Sequence, residues 1–161
     1  MDHLYAPWRD EYVAGEKKGC PFCYIVENRD KDEKTHVLYR SKNCFLVMNK
    51  YPYNPGHFMV IPNLHIDNIE SLENEVWLEM SVLVQKSVKL LKNDFGAMGV
   101  NIGMNLGECG GAGIAEHVHY HIVPRWARDT NFITSIGDSR VFSTDFDRIY
   151  KKLKDIIEDK F

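Results

Sequence analysis

The segment EHVHYHIVPRW, Glu116 to Trp126, decides the fold because polar and apolar side chains alternate along it. Histidine occupies every second position, at His117, His119 and His121, in a chain with only seven histidines. Successive side chains of a β-strand point to opposite faces of the sheet. The segment therefore predicts a strand that presents its histidines on one face and packs its intervening apolar residues on the other.

The three histidines could be metal ligands, catalytic groups or part of a polar strand face. His117 and His121 lie about 13 Å apart along an extended strand, at about 3.3 Å per residue. Two alternate histidines can converge on one zinc ion, whereas three would be stretched around it. The spacing therefore favours a division of labour over a single ion that binds all three.

A glycine-rich loop, GECGGAG at 107–113, directly precedes this strand and contains four glycines in seven residues. Glycine allows backbone N–H groups to approach an anion closely and to form a nest around it. A flexible connection is the alternative interpretation. The contiguity of loop and histidines favours a phosphate cradle.

The remaining patterns predict an α+β domain with a mainly antiparallel sheet and helices on one face, because strands and helices do not alternate regularly. Glycine, proline and asparagine punctuate short apolar runs that have strand character. Two longer segments have apolar residues at three- and four-residue spacing, which is typical of amphipathic helices. The predicted strands are 36–41, 43–50, 57–62, 98–105 and 117–124, and the predicted helices are 71–93 and a C-terminal one from about Thr144.

Length and composition indicate one ordinary globular domain over residues 1–161. The net charge of −3 provides no strong basic field for nucleic acid. No apolar run approaches the roughly 18–20 residues of a membrane span, and the N-terminal residues lack a signal-peptide pattern. We therefore expect a cytoplasmic protein with reduced cysteines and with neither a nucleic-acid nor a membrane partner.

Two segments, HVHYHIVP and NPGHFMVIPNLH, together resemble the histidine triad (HIT) family, in matching order and spacing. The resemblance implies a HIT-like fold with a five-stranded, mainly antiparallel sheet and two main helices. It also implies a homodimer in which two sheets join into one of ten strands. The similarity covers a core at about 20–126, followed by a C-terminal extension with a helix at about 127–161.

For mechanism, the resemblance implies that His119 attacks the α-phosphorus of a bound nucleotide and forms a covalent nucleotidyl-histidine. Such a nucleophile needs a neutral ring nitrogen whose partner nitrogen is held by an acceptor. The glycine loop, His121 and His57 would match the charge on the phosphoryl oxygens. The family member expected here is thus a nucleotide hydrolase or phosphorylase.

The resemblance also implies a set of nucleotide-binding residues. Asn49 would bind the ribose, although an asparagine there also suits a turn. Asn105 and the loop glycines Gly111 and Gly113 would contact phosphate. Phe45 and Met48 would line the base pocket or belong to the core, and Trp126 would help to form the site or simply pack.

One departure from the family pattern bears on the substrate. Many family hydrolases have a glutamine or serine just before the triad, whereas this chain has Gly113 and Ile114 and so lacks a side-chain donor there. A leaving group that is already a good anion needs less protonation than an amine does. YPYNPGH, PRW and NFITSIGDSRV resemble the bacterial branch that includes diadenosine tetraphosphate phosphorylases. Both features favour a dinucleoside polyphosphate substrate.

The alternatives are adenosine phosphoramidate hydrolysis, a non-catalytic nucleotide-binding signalling module and a metal hydrolase that uses all three histidines.

The cysteine pair in GCPFC, Cys20 and Cys23, could be a redox dithiol, half of a zinc site or two buried thiols. The family resemblance implies that His65 and His117 complete a structural Cys2His2 zinc site. Such a site would remove His117 from catalysis. Cys44 and Cys109 have no assigned role.

Overall fold

The computed structural model describes residues 19–127, 129, 132–137 and 145–161. Its centre is one five-stranded sheet in which every paired neighbour is antiparallel, in the order β1-β2-β3-β5-β4. The strands are β1 (Val37–Arg40), β2 (Cys44–Met48), β3 (Phe58–Pro62), β4 (Gly99–Gly103) and β5 (Tyr120–Arg125).

Two long helices cover one face of the sheet and form the main core with it. They are α2 (Asn74–Leu90) and α4 (Phe146–Lys160), and a short α3 (Phe132–Ile136) lies between them in sequence. The C-terminal helix begins after Asp145, whose carboxylate accepts a hydrogen bond from the Arg148 N–H at 2.9 Å. The fully buried members of this core include Leu46, Phe58, Val60, Met80, Leu91, Ile122, Leu153 and Ile157.

A third helix, α1 (Pro21–Glu27), covers the opposite face of the sheet. Its buried Phe22 and Ile25 pack on Val47, Met59 and neighbouring residues of β2 and β3. The expectation that all helices share one face was wrong, and α1 was not predicted. With only seven residues and two buried positions, it carries too little apolar periodicity to be recognised.

The structure confirms the α+β class and the five-stranded antiparallel sheet. Val118, Tyr120 and Ile122 lie in the core on the α2 side, as the alternation predicted. β5 begins at Tyr120 rather than at His117, because the first two histidines precede the hydrogen-bonded ladder. The predicted segment NFITSIGDSRV and the predicted helix start at Thr144 lie partly or wholly outside the described residues. Among the described helices, none combines the length and apolarity needed to cross a membrane.

Candidate functional site

A cavity of about 860 Å³ lies on the α1 face of the sheet. Val47, Met59 and His121 are direct register partners on three adjacent strands and line the cavity as one row. Phe22 and Ile25 line it from α1. The cavity therefore joins an apolar slot, between α1 and the sheet, to His121 on β5 and to His119 just before it.

His119 lines this cavity with its protonation pattern fixed by a backbone carbonyl. Its Nδ1 lies 2.8 Å from the His117 carbonyl oxygen, which can only accept. Nδ1 therefore carries the proton, and Nε2 keeps its lone pair. Burial lowers the pKa of His119, whereas the bond to the carbonyl raises it, with a net lowering that favours the neutral ring. His119 thus has the form that a nucleophilic imidazole requires.

His57 and His121 form a hydrogen-bonded pair with the opposite pattern. The Tyr53 N–H donates to His57 Nδ1 at 3.1 Å, so His57 carries its proton on Nε2. His57 Nε2 then donates to His121 Nδ1 at 3.0 Å, and His121 is left with a proton on its own Nε2. Burial, followed by the neighbouring histidines, lowers the pKa of His57 to about 3 and that of His121 to about 4. His121 is therefore a neutral donor beside His119, whose ring centroid is 4.8 Å away.

His57 itself does not line the cavity and is fully buried. It reaches the site only through His121. His57 is therefore not placed to contact a phosphoryl oxygen in the cavity, contrary to the prediction. The ring instead sets which nitrogen of His121 bears the proton.

Asn49 lies at the cavity wall and also holds the following turn. Its Oδ1 accepts the Tyr51 N–H at 2.9 Å, and its Nδ2 lies 3.4 Å from the His57 ring nitrogens. The turn-forming contact is thus present. A ribose contact by Asn49 stays a prediction, and its position in the cavity wall is compatible with it.

The glycine loop reaches the cavity through Gly111 and Gly113, together with Asn105. Gly107 and Gly111 have φ values of +70° and +88°, which L-residues with a side chain rarely adopt. Asn105 Nδ2 donates to the Gly111 carbonyl at 3.4 Å and so closes the loop. The predicted phosphate contacts therefore line the same cavity as His119 and His121.

Two of the three proposed wall residues lie elsewhere. Phe45 is fully buried among the residues that pack under α1 and does not line the cavity. Met48 lines it, although most of its side chain belongs to the main core. Trp126 is absent from the lining and packs edge-on against Phe95, with ring centroids 5.5 Å apart.

Trp126 instead helps to clamp the turn that carries His57. Its indole N–H donates to the Pro55 carbonyl at 3.0 Å. Asn54 donates to the Pro124 carbonyl at 2.9 Å and to the Asp129 carboxylate at 3.0 Å. Asp129 also accepts from Arg125, and these hydrogen bonds hold the pKa of the Asp129 carboxyl far below its usual range. The segments YPYNPGH and PRW are therefore in direct contact.

Cys20, Cys23, His65 and His117 form a cluster whose ligand atoms all lie within 4.8 Å of one another. The Cys20 and Cys23 sulfurs lie 3.4 and 3.8 Å from His117 Nδ1, and the Cys23 sulfur lies 3.1 Å from His65 Nδ1. Zinc bound about 2.3 Å from sulfur and about 2.0–2.1 Å from nitrogen leaves neighbouring ligand atoms about 3.5 Å apart. His117 Nε2 donates to the Pro62 carbonyl at 2.9 Å, which leaves Nδ1 free to ligate. The donor set and its spacing fit a closed tetrahedral zinc site.

A family model described as the HIT domain matches residues 30–128. The chain belongs to the histidine triad family. It is 38% identical, over 151 residues, to a Mycobacterium tuberculosis protein named AP-4-A phosphorylase, covering 88% of this chain and 76% of that protein. It is 32% identical, over 95 residues, to the asymmetrical bis(5′-nucleosyl)-tetraphosphatase of Schizosaccharomyces pombe, covering 59% of this chain and 52% of that protein.

Solved structures of histidine triad proteins share the fold. A zinc-bound family protein from Mycobacterium smegmatis superimposes with a TM-score of 0.70 at 24% identity, covering 88% of this chain and 94% of that one. A protein from Sulfolobus tokodaii described as a hypothetical histidine triad nucleotide-binding protein gives a TM-score of 0.67 at 26% identity, covering 87% of this chain and 93% of that one. The predicted family membership and HIT-like fold are confirmed.

Sequence reasoning missed several residues of this histidine triad site. Tyr53 lies against the histidine pair, and Asn54 and Asp129 fix the turn that carries it. The YPYNPGH segment marked the turn but gave no sign of these contacts. Asn54 and Asp129 are 75 positions apart, so only the folded chain shows their pairing.

Proposed function

We propose that this protein cleaves dinucleoside polyphosphates at the α-phosphate by way of a covalent bond to His119. The observation that carries the proposal is the unequal protonation of two adjacent rings in one cavity. His119 has a free Nε2, and His121 has an Nε2–H. A nucleophile and a donor for the phosphoryl oxygens are thereby placed side by side.

The chemical step is an exchange at phosphorus. His119 Nε2 forms a bond to the α-phosphorus, and the bond from that phosphorus to the bridging oxygen breaks. The bridging oxygen departs with the electron pair as the terminal oxygen of the leaving nucleotide. His121 Nε2–H and the N–H groups of the glycine loop stabilise the charge on the remaining oxygens.

Inorganic phosphate is the proposed acceptor in the second step. Its oxygen bonds to the α-phosphorus, and the electron pair of the phosphorus–nitrogen bond returns to His119. Diadenosine tetraphosphate and phosphate would then give ATP and ADP. The 38% sequence identity to AP-4-A phosphorylase, over 88% of the chain, supports this acceptor. The similarity to a tetraphosphatase supports the same class of substrate.

The first nucleoside would lie in the apolar slot between Phe22 and Ile25 on one side and Val47 and Met59 on the other. Asn49 at the end of β2 would take the ribose hydroxyls. The absence of a side-chain donor at Gly113 and Ile114 suits a leaving nucleotide that is already a stable anion.

Zinc is the proposed occupant of the Cys2His2 cluster, in a structural role. When bound, it would join α1 to the segments that follow β3 and precede β5. His117 would be a ligand, while its carbonyl oxygen holds the proton on His119 Nδ1. The zinc would therefore fix the orientation of the nucleophile without contacting the substrate.

The test is product analysis with diadenosine tetraphosphate, in the presence and absence of inorganic phosphate. We expect ATP and ADP only when phosphate is present, and an AMP-modified His119 when substrate is supplied alone and the protein is analysed by mass spectrometry. His119→Ala should lose at least about 10³-fold in kcat, and His121→Ala about 10²-fold.

Each component of the proposal has its own contrary result. AMP and ATP formed without phosphate would make the protein a hydrolase. Undiminished turnover by His119→Ala would exclude this residue as the nucleophile. Tight AMP binding without turnover of any dinucleotide would instead support a non-catalytic binding module.

A further inference from the structure

Four aromatic rings form a continuous row along the cavity wall. The ring centroids of Phe22 and His119 are 5.1 Å apart, those of His119 and His121 are 4.8 Å apart, and those of His121 and Tyr53 are 5.7 Å apart. Tyr53 also lies 4.7 Å from His57. The row therefore begins in α1, passes through the nucleophile and ends at Tyr53.

The two ends of the row differ in exposure. Phe22 is 3% exposed and closes the apolar slot, whereas Tyr53 is 50% exposed although it lines the same cavity. A nucleotide whose base fills the slot and whose α-phosphate meets His119 must direct the rest of its chain away from Phe22. Along the row of rings, that direction leads from His119 past His121 to Tyr53.

We propose that the Tyr53 ring is a stacking surface for the base of the leaving nucleotide, which makes Tyr53 a specificity residue for substrates with two nucleosides. The inference rests on the proposed function and extends it to the second half of the substrate. An exposed aromatic ring accepts any nucleobase through its π-face. The phenol ring has the planar shape for this contact, and its attachment to the turn before His57 holds it beside the reacting phosphate.

A pair of substrates isolates this contact. Diadenosine tetraphosphate and adenosine 5′-tetraphosphate have the same number of phosphates and the same first nucleoside, and they differ in the second nucleoside and in the additional charge of the terminal phosphate that lacks it. We expect the wild-type protein to prefer the dinucleoside in kcat/KM, and Tyr53→Ala to reduce that preference by about tenfold. Tyr53→Phe should retain it because the ring, not the hydroxyl, makes the contact.

Tyr24→Ala is the matched control. Tyr24 is 47% exposed and lines the cavity from α1, at the end occupied by the first nucleoside. Its removal should change kcat/KM for both compounds by the same factor. The ratio of the two kcat/KM values would then stay at the wild-type value.

The contrary results are distinct. If Tyr53→Ala lowers kcat/KM equally for both compounds, Tyr53 only supports His57 and His121, and the inference is wrong. If Tyr53→Phe behaves like Tyr53→Ala, the hydroxyl carries the effect, and stacking is excluded. If the wild-type protein turns over neither compound, the proposed function fails. The stacking contact is then tested by calorimetry, which compares the affinities of the wild-type protein and of Tyr53→Ala for the two compounds. A wild-type preference for the dinucleoside that Tyr53→Ala removes would support it, and equal affinities would overturn it.

Discussion

Backbone groups decide which nitrogen of each histidine bears the proton at this site. The carbonyls of Pro62 and His117 place the protons on His117 Nε2 and His119 Nδ1. The Tyr53 N–H places the proton of His57 on Nε2, and His121 follows through its contact with His57. Four chemically identical side chains thereby adopt the protonation patterns that suit the proposed roles of ligand, nucleophile, relay and donor.

The sequence could predict only part of this division. Alternation along the predicted strand 117–124 placed His119 and His121 on one face, and the length of the segment argued against a single shared ion. The protonation pattern depends on Pro62, which is 55 positions from His117, and on Tyr53, which acts through His57 on His121, 68 positions away. No spacing rule connects such partners before the chain is folded.

Acid should destabilise the protein through His57. Its folded pKa of about 3 lies below the ordinary 6.5, so the unfolded chain binds a proton between these values that the folded chain does not. The free energy of unfolding therefore falls as pH decreases from about 6.5, by roughly 2 kcal/mol at pH 5 for this group. The free energy of unfolding can be measured with urea at pH 7.5 and at pH 5. Its decrease between the two pH values should be smaller in His57→Gln than in the wild-type protein, by about that amount.

Val60→Ala is the control for the His57 measurement. Val60 is fully buried in the main core and carries no titratable group. Its truncation should cost about 2 kcal/mol at both pH values and leave the pH dependence at the wild-type level. An unchanged pH dependence in His57→Gln would show that His57 is not held neutral by burial.

At the scale of elements, α1 depends on contacts that its own sequence cannot supply. Its seven residues bury only Phe22 and Ile25, and a helix of this length is marginal in isolation. Pro21 at its first turn is a start signal, but the apolar pattern is too short to distinguish a helix from a loop. The long helices α2 and α4 were predictable because their periodicity extends over several turns. Cys20 and Cys23 lie beside His65 and His117, so a zinc ion bound by these four residues would hold α1 on the sheet.

Removal of zinc should therefore destabilise α1 and its packing on the sheet, and should affect catalysis only through that change. We expect one zinc per chain by elemental analysis. Cys23→Ser should lose the metal and at least about 3 kcal/mol of stability, which is roughly a 6–12 °C decrease in Tm for a chain of this size. Hydrogen exchange should show the increase in exposure concentrated in residues 20–27.

Cys109→Ser is the matched thiol variant, because Cys109 is exposed in the glycine loop and outside the cluster. It should retain the full zinc content and the wild-type Tm. A zinc-free protein with an unchanged Tm but no activity would instead indicate a catalytic ion.

At the scale of the whole molecule, the order of strands leaves β4 at an edge of the sheet. β4 pairs with β5 on one side, and no described residue pairs with its other side. On the α2 face, Ile102 is 53% exposed, and Leu78 and Val82 of α2 are 63% and 51% exposed. The family resemblance predicted that the sheets of two copies join, and the edge of β4 that no described residue pairs, with half-exposed Ile102 on it, suits that contact. Strand order follows from long-range pairing, so the sequence alone could give the number of strands but not which one lies at this edge.

We propose that two copies pair through β4 to form a ten-stranded sheet, and that Ile102 lies in the interface. Light scattering after size exclusion should give twice the 18.7 kDa of the chain. Ile102→Asp should give a monomer, because a second copy would bury two uncompensated carboxylates near each other. Leu64→Asp places the same charge at a side chain that is 52% exposed in the segment after β3, and this variant should stay dimeric. A wild-type monomer at micromolar concentration, or an Ile102→Asp dimer as stable as the wild-type dimer, would exclude pairing through this edge.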